Sequence, residues 1–279
     1  MTQNLSPFYP LGYSFHARVL LQFFLRNVLR TFCDETIGRA NWCSEASESQ
    51  CVKRRGLRKG YLNMSAGSFP GEELGWWKQP QPTPEELRFS GGLQVEDWPH
   101  ARQVERLSVQ LFEATRPLHE LDEGALRLLE RAAFLHNTGM LIEARRHHKH
   151  SYLLIKGTTL PDVTEEERHE IACIARYHRR ALPSVSHEEF AALSDTARER
   201  VSALAALVRI ADALDWSHDG RVQRLAANVD LCNDRTWTIS LWRRSLADLD
   251  DELEHAYEKA DLFEKVFQRK LHLLIQDQE

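Results

Sequence analysis

From Pro99 onward, apolar side chains return every three or four positions, the spacing of one helix face. Val104, Leu107, Leu111 and Phe112 form the first such stripe. A second helix is predicted from about Glu123 to Asn137 on Leu126, Leu129, Ala133 and His136, with Gly139 as its stop. His147 to Lys156 predicts a third. Thr164 and Glu167 have the spacing of a capping box and open a fourth, which carries Ile171, Ile174, Ala175 and His178. Ser194 opens a long alanine-rich fifth, running through Leu204, Leu207, Val208 and Ala211 to about Leu214. After Arg221 the period changes. Leu225 to Leu231 and Thr236 to Trp242 alternate or run apolar around Asn233–Asp234, which predicts a β-hairpin. A charged amphipathic helix, Asp248 to about Gln268, and a short strand, Leu271 to Ile275, complete the pattern. The expected fold is mainly α: a helical bundle followed by a small β-β-α-β unit.

The preceding residues have another texture. Residues 1–92 carry Cys33, Cys43 and Cys51, a basic run from Lys53 to Lys59, and Pro80, Pro82 and Pro84 in alternation, which favours an extended connector. We expect three regions: an irregular segment and linker over 1–92, a helical domain over 93–220 and an α+β subdomain over 221–279. Met64, just before the texture becomes ordinary, offers an alternative start. The net charge of −5 argues against a dedicated nucleic-acid binder. No stretch reaches the roughly 18 uninterrupted apolar residues of a membrane span; Val19 to Leu29 is broken by Arg26. Five cysteines without a CxxC pair point away from a disulfide framework. A cytoplasmic protein with no membrane partner is expected.

Thirteen histidines are the informative surplus. His100, His136, His150 and His178 fall one per predicted helix, and Asp212 falls on the fifth. A bundle can build a metal site from inward faces in this way, since imidazole nitrogens and carboxylate oxygens together hold divalent ions. Any one of these histidines alone reads as a structural core residue. The repetition, one per helix, is what shifts the balance toward a site. His147 and Lys149, with Arg176 and Arg179, read as a solvated basic cluster or, beside a metal, as phosphate contacts. Cys173 and His178 could pair as nucleophile and base, but Cys173 lies between Ile171 and Ile174 and reads as core.

The order His100, His136–Asn137, His150, His178, Asp212 resembles the HD-domain phosphohydrolase superfamily. More narrowly, the chain resembles the C-terminal domain of the exopolyphosphatase/guanosine pentaphosphate phosphohydrolase (Ppx/GppA) family. The matching stretches include Ala132 to Gly139, His147 to Tyr152, Ile174 to Arg180, Leu207 to Asp215 and Ala260 to Phe267. The resemblance implies an HD-type bundle, a divalent metal (Mg, Mn, Fe or Zn) held by His100, His136, Asn137 and Asp212, and catalytic roles for His150 and His178, as ligands of a second ion or as acid/base and phosphate ligands. It implies a phosphorylated ligand: a nucleotide, an alarmone or polyphosphate. Two departures qualify it. Asn137 stands where the superfamily has its aspartate, which removes a negative charge from the metal site. The glycine-rich phosphate loops of the actin-like lobes in full-length relatives are absent from this sequence, so the parent activity does not transfer with the resemblance.

The expected function is therefore a metal-dependent phosphohydrolase. The alternative is a non-catalytic module that binds a nucleotide or polyphosphate through a degenerate site. A third reading makes the charged Asp248–Gln268 helix a pairing surface for a homodimer.

Overall fold

Side-chain caps set the starts of five helices. The computed structural model describes residues 82–276 apart from Ser245. Val19–Leu29, the three early cysteines, the basic run and Met64 lie outside those residues. Helix α1, Pro84–Phe89, starts at Thr83, whose side chain accepts from the Glu86 amide while Glu86 accepts from the Thr83 amide. The extended reading of the alternating prolines thus gives way at Pro84. A proline in the first turn sacrifices no helical hydrogen bond, and its fixed φ suits a helix start. Gly91, at φ +63°, turns the chain where a Cβ would meet the Thr159 carbonyl at 2.8 Å.

The bundle follows. Asp97 caps α2, Trp98–His119, by accepting from the His100 amide. Asp122 caps α3, Glu123–Leu135. Two 3-10 turns, Thr138–Leu141 and Ala144–Arg146, lead to α4, His147–Gly157. The Thr164–Glu167 box opens α5, Glu165–Arg176, as its spacing predicts. A single turn, α6, Glu188–Ala191, precedes α7, Asp195–Ala213, capped by Ser194. Helix α7 is the axis of this bundle, packing against α2, α3 and α5. Its alanines at 203, 205, 206, 211 and 213 are buried and let neighbours approach closely. Leu204, Leu207 and Ile210 fill the space between, each contributing roughly 1.5–3 kcal/mol by its burial.

The remaining chain forms a three-stranded sheet of order β1-β2-β3. Strands β1, Val222–Ala227, and β2, Thr236–Arg243, run antiparallel; β3, Lys270–Gln276, runs parallel to β2. The mainly helical fold with a small β unit is as expected, with two local differences. The first strand lies earlier than Leu225–Leu231, because Val229–Leu231 closes into a 3-10 turn. The charged helix is two helices, α8, Asp250–Glu258, and α9, Asp261–Phe267. The break is imposed by α7. Buried Arg209 donates to the Lys259 carbonyl at 3.4 Å and to Asp261 Oδ1 at 2.7 Å, fixing the chain between the two helices. No helix among the described residues is long and apolar enough to cross a membrane.

Candidate metal centre

Helix ends, rather than helix middles, converge on the centre. His100 lies in the first turn of α2 and His136 caps the C-terminus of α3. His147 begins α4, His178 follows α5 by two residues, and Asp212 lies in the last turn of α7. The approach of α4 to the end of α3 depends on Gly139. A Cβ there would fall on the His147 carbonyl and 2.5 Å from the Ser151 amide. Instead the Gly139 amide donates to Ser151 Oγ at 2.9 Å, and that hydroxyl donates to the His136 carbonyl at 2.7 Å.

The imidazoles are oriented from behind. Nδ1 of His136, His147 and His178 donates to the carbonyls of Ala133, Ala144 and Ala175 at 2.6, 2.9 and 2.5 Å. A carbonyl only accepts, so in each ring the proton sits on Nδ1 and Nε2 carries the lone pair. His100 Nδ1 donates to Asp215 Oδ2 at 2.8 Å. Asp215 is held in turn by the Gly220 amide at 3.0 Å. The ring of His218 stacks on His100 at 3.7 Å and bonds Asp97 at 2.9 Å. Such backing contacts are what fix the tautomer and aim of metal-binding histidines.

Asp212 meets the front of this array. Its Oδ1 lies 3.4 Å from His100 Nε2 and 3.3 Å from His136 Nε2, and neither nitrogen makes a hydrogen bond. All three ligand atoms fall within 4.8 Å of one another. Bonds of about 2.1 Å from one ion put adjacent ligand atoms about 3.0–3.4 Å apart, so the donor set fits a divalent cation. The buried Asn137 Oδ1 is also without a hydrogen-bond partner. Opposite, His147 Nε2 and His178 Nε2 face each other at 2.9 Å. Asn137, His147, His178, Arg179, Asp212, Trp216 and Lys259 line one cleft of about 380 Å³.

Charge divides the site. Burial alone would depress His100, but the carboxylates of Asp212 and Asp215 on either side outweigh it and push its pKa up to about 9. Burial likewise opposes ionisation of Asp212, yet the Lys259 ammonium, His100 and His136 hold its carboxyl well below the usual range. His178 is pushed well below its ordinary value, first by burial and then by His136. Burial also lowers His147.

Of the expected site residues, His100, His136, Asn137, His178 and Asp212 are brought together. His150 is not. Three residues into α4 it is turned by about 60° from His147, and its Nε2 lies 3.4 Å from Glu143 Oε2. His147 takes the position beside His178. Lys149 and Arg176 line an adjacent pocket of about 150 Å³, and Arg179 lines both cavities. Arg176 is paired with Glu189. Asp215, His218 and Lys259 are additional. Asp215 could have been found, three residues from Asp212 on the helical repeat. Lys259, 47 residues from the carboxylate it binds, gives no local signal.

Residues 92–261 match the family of the Ppx/GppA phosphatase, domain III. The chain belongs to that family. It is 36% identical over 88 residues to a guanosine-5'-triphosphate,3'-diphosphate pyrophosphatase of Pseudoalteromonas translucida, covering 32% of this chain and 17% of that protein. A protein of the same name from Aliivibrio fischeri is 30% identical over 105 residues, covering 38% of this chain and 21% of its own. The matched region thus spans about a fifth of these relatives. The family match ends within α9, so β3 lies beyond it.

Proposed function

We propose that this domain III is an HD-type, metal-dependent phosphohydrolase domain acting on a phosphorylated small molecule, with residues 93–220 carrying the ligands and residues 221–279 closing the cleft. One observation carries the reading: imidazoles with Nδ1 committed to fixed acceptors turn their Nε2 atoms inward around a single carboxylate. His100, His136, Asn137 and Asp212 would hold the ion, and imidazole donors favour Mn, Fe or Zn over Mg. When bound, such an ion lowers the pKa of a water and polarises a phosphoryl oxygen. His147 and His178, neutral and 2.9 Å apart, exchange a proton with the reacting oxygen, the part expected of His150 passing to His147. Arg179 and Lys149 neutralise phosphate charge.

The relatives are named for a guanosine polyphosphate, and a nucleotide suits this cleft better than polyphosphate does. Trp216, 47% exposed, lines the cleft and stacks on His255 at 3.6 Å, offering an aromatic surface to a base. Turnover of nucleotides and of a generic phosphoester by chelator-stripped protein with Mn²⁺ or Mg²⁺ tests the enzyme reading. Activity that needs the metal and vanishes in Asp212→Ala supports it; metal binding without turnover of any phosphoester rejects it. Asn137 favours the second reading, a nucleotide-binding module without hydrolysis, because an amide brings no charge to the ion. Saturable nucleotide binding with no turnover, unchanged on Asn137→Asp, is its signature.

A further inference from the structure

We infer that Lys259 is a resident cation of this centre: by holding one oxygen of Asp212 it restricts the site to a single divalent ion. The inference rests on the metal-binding reading above. It concerns how many ions the site accepts, and so what receives the phosphate.

Asp212 is the carboxylate that faces the His100 and His136 nitrogens, and its two oxygens are divided. Oδ1 faces the His100 and His136 nitrogens. Oδ2 accepts from Lys259 Nζ at 2.5 Å, with both side chains about one-sixth exposed. Were Asp212 to bridge two ions, the second would need Oδ2, the oxygen the ammonium already occupies. Asn137 Oδ1, the buried oxygen beside this site without a hydrogen-bond partner, belongs to a neutral amide. A second ion at His147 and His178 would therefore meet two imidazoles, the Asn137 amide and the positive charges of Lys259 and Arg179, with Glu258 the further carboxylate lining the cleft. A dication and an ammonium a few ångströms apart in a half-buried cleft repel strongly.

Lys259 is not a loose surface lysine that an incoming ion could brush aside. It sits at the break between α8 and α9, where its amide donates to the His255 carbonyl at 3.1 Å. Arg209 from α7 grips its carbonyl and the neighbouring Asp261. The same clamp that interrupts the predicted long helix delivers the ammonium to Asp212. In this arrangement a phosphoryl group meets one metal ion and one lysine, where a dinuclear site would present two ions.

The test uses the full chain, stripped with chelator and titrated with Mn²⁺ alone. Metal equivalents are read by elemental analysis and calorimetry, and ion–ion coupling by electron paramagnetic resonance. Wild type is expected to take one equivalent with an uncoupled signal. Lys259→Met, of similar length and no charge, is expected to take a second equivalent with a coupled signal, or to bind the first at least about tenfold more tightly. Lys259→Arg is expected to match wild type. Two equivalents in wild type overturn the inference without any variant. So does a folded Lys259→Met that keeps one equivalent and an unchanged Kd. Should Lys259→Met not fold, Lys259→Gln carries the same comparison. Absence of Mn²⁺ binding in wild type and variants alike rejects the metal-binding reading itself, an outcome distinct from one equivalent throughout.

Discussion

The two halves of the cleft use the same side chain to opposite ends. On one side His100 and His136 flank Asp212, with Asp215 behind His100 and the Ala133 carbonyl behind His136. On the other, His147 and His178 are backed only by carbonyls of their own chain segments, Ala144 and Ala175, and are pushed down by burial. His100, whose ring lies between two carboxylates, is pushed up to about 9. An imidazole's role is therefore set by what both of its nitrogens meet: His136 has the same kind of carbonyl behind it as His147 and His178, and the Asp212 oxygen in front sets it apart. A carboxylate behind the ring draws a cation to the front; a carbonyl fixes the tautomer and leaves the ring neutral. The first half is built to hold charge and the second, with its two Nε2 atoms 2.9 Å apart, to take up or share a proton.

Gly139 joins the halves, and replacing it should have the largest effect. A Cβ there collides with the backbone of α4, so Gly139→Ala must push His147 away from His136. A loss of about 2–3 kcal/mol is expected by chemical denaturation, together with loss of high-affinity Mn²⁺ binding. Retention of wild-type stability would mean that the two halves do not need this close approach.

Asp215→Asn tests the contrast directly, since it removes the charge behind His100 while keeping a hydrogen-bond acceptor. Mn²⁺ affinity should fall by roughly 10–100-fold, and the His100 pKa, followed by NMR, should drop from about 9. The same shift sets a pH dependence. Below about 9 the metal-free His100 holds a proton that an ion must displace, so affinity should rise with pH by about tenfold per unit and level off near 9. The stability of the metal-free protein runs the other way. A group raised on folding contributes fully below its ordinary 6.5, and that contribution is lost as pH climbs through about 9. Calorimetric titrations and melts across that window check both signs.

Much of this was legible in the chain and some was not, for reasons that differ by residue. Helix starts at Thr164 and Ser194 follow from local capping chemistry, so spacing alone places them. His136, His178 and Asp212 lie at or near the ends of strongly periodic segments, where the inward face can be read. The break at Lys259 and Ala260 was hidden, because it is made by Arg209 from another helix and the local sequence favours continuation. Lys259 was hidden for the same reason. The alternating prolines misled at Pro84, since an extended connector and a helix first turn both accept proline.

The choice between His147 and His150 is the sharpest case, and the smallest effect decides it. Both lie within one turn of α4, and sequence spacing does not say which faces His178. The ring of His147 stacks against His178 at 5.1 Å between centroids, whereas His150 lies toward Glu143. His150→Ala should therefore leave Mn²⁺ affinity and any phosphoester turnover within about twofold of wild type, with at most about 1 kcal/mol lost from its local contacts. His147→Ala should reduce turnover by roughly a hundredfold or more if the pair transfers a proton, with little change in the first metal equivalent. The reverse pattern, a silent His147→Ala and a damaging His150→Ala, would mean that α4 is rotated in the working protein. The neutral half of the cleft would then have to be rebuilt around His150.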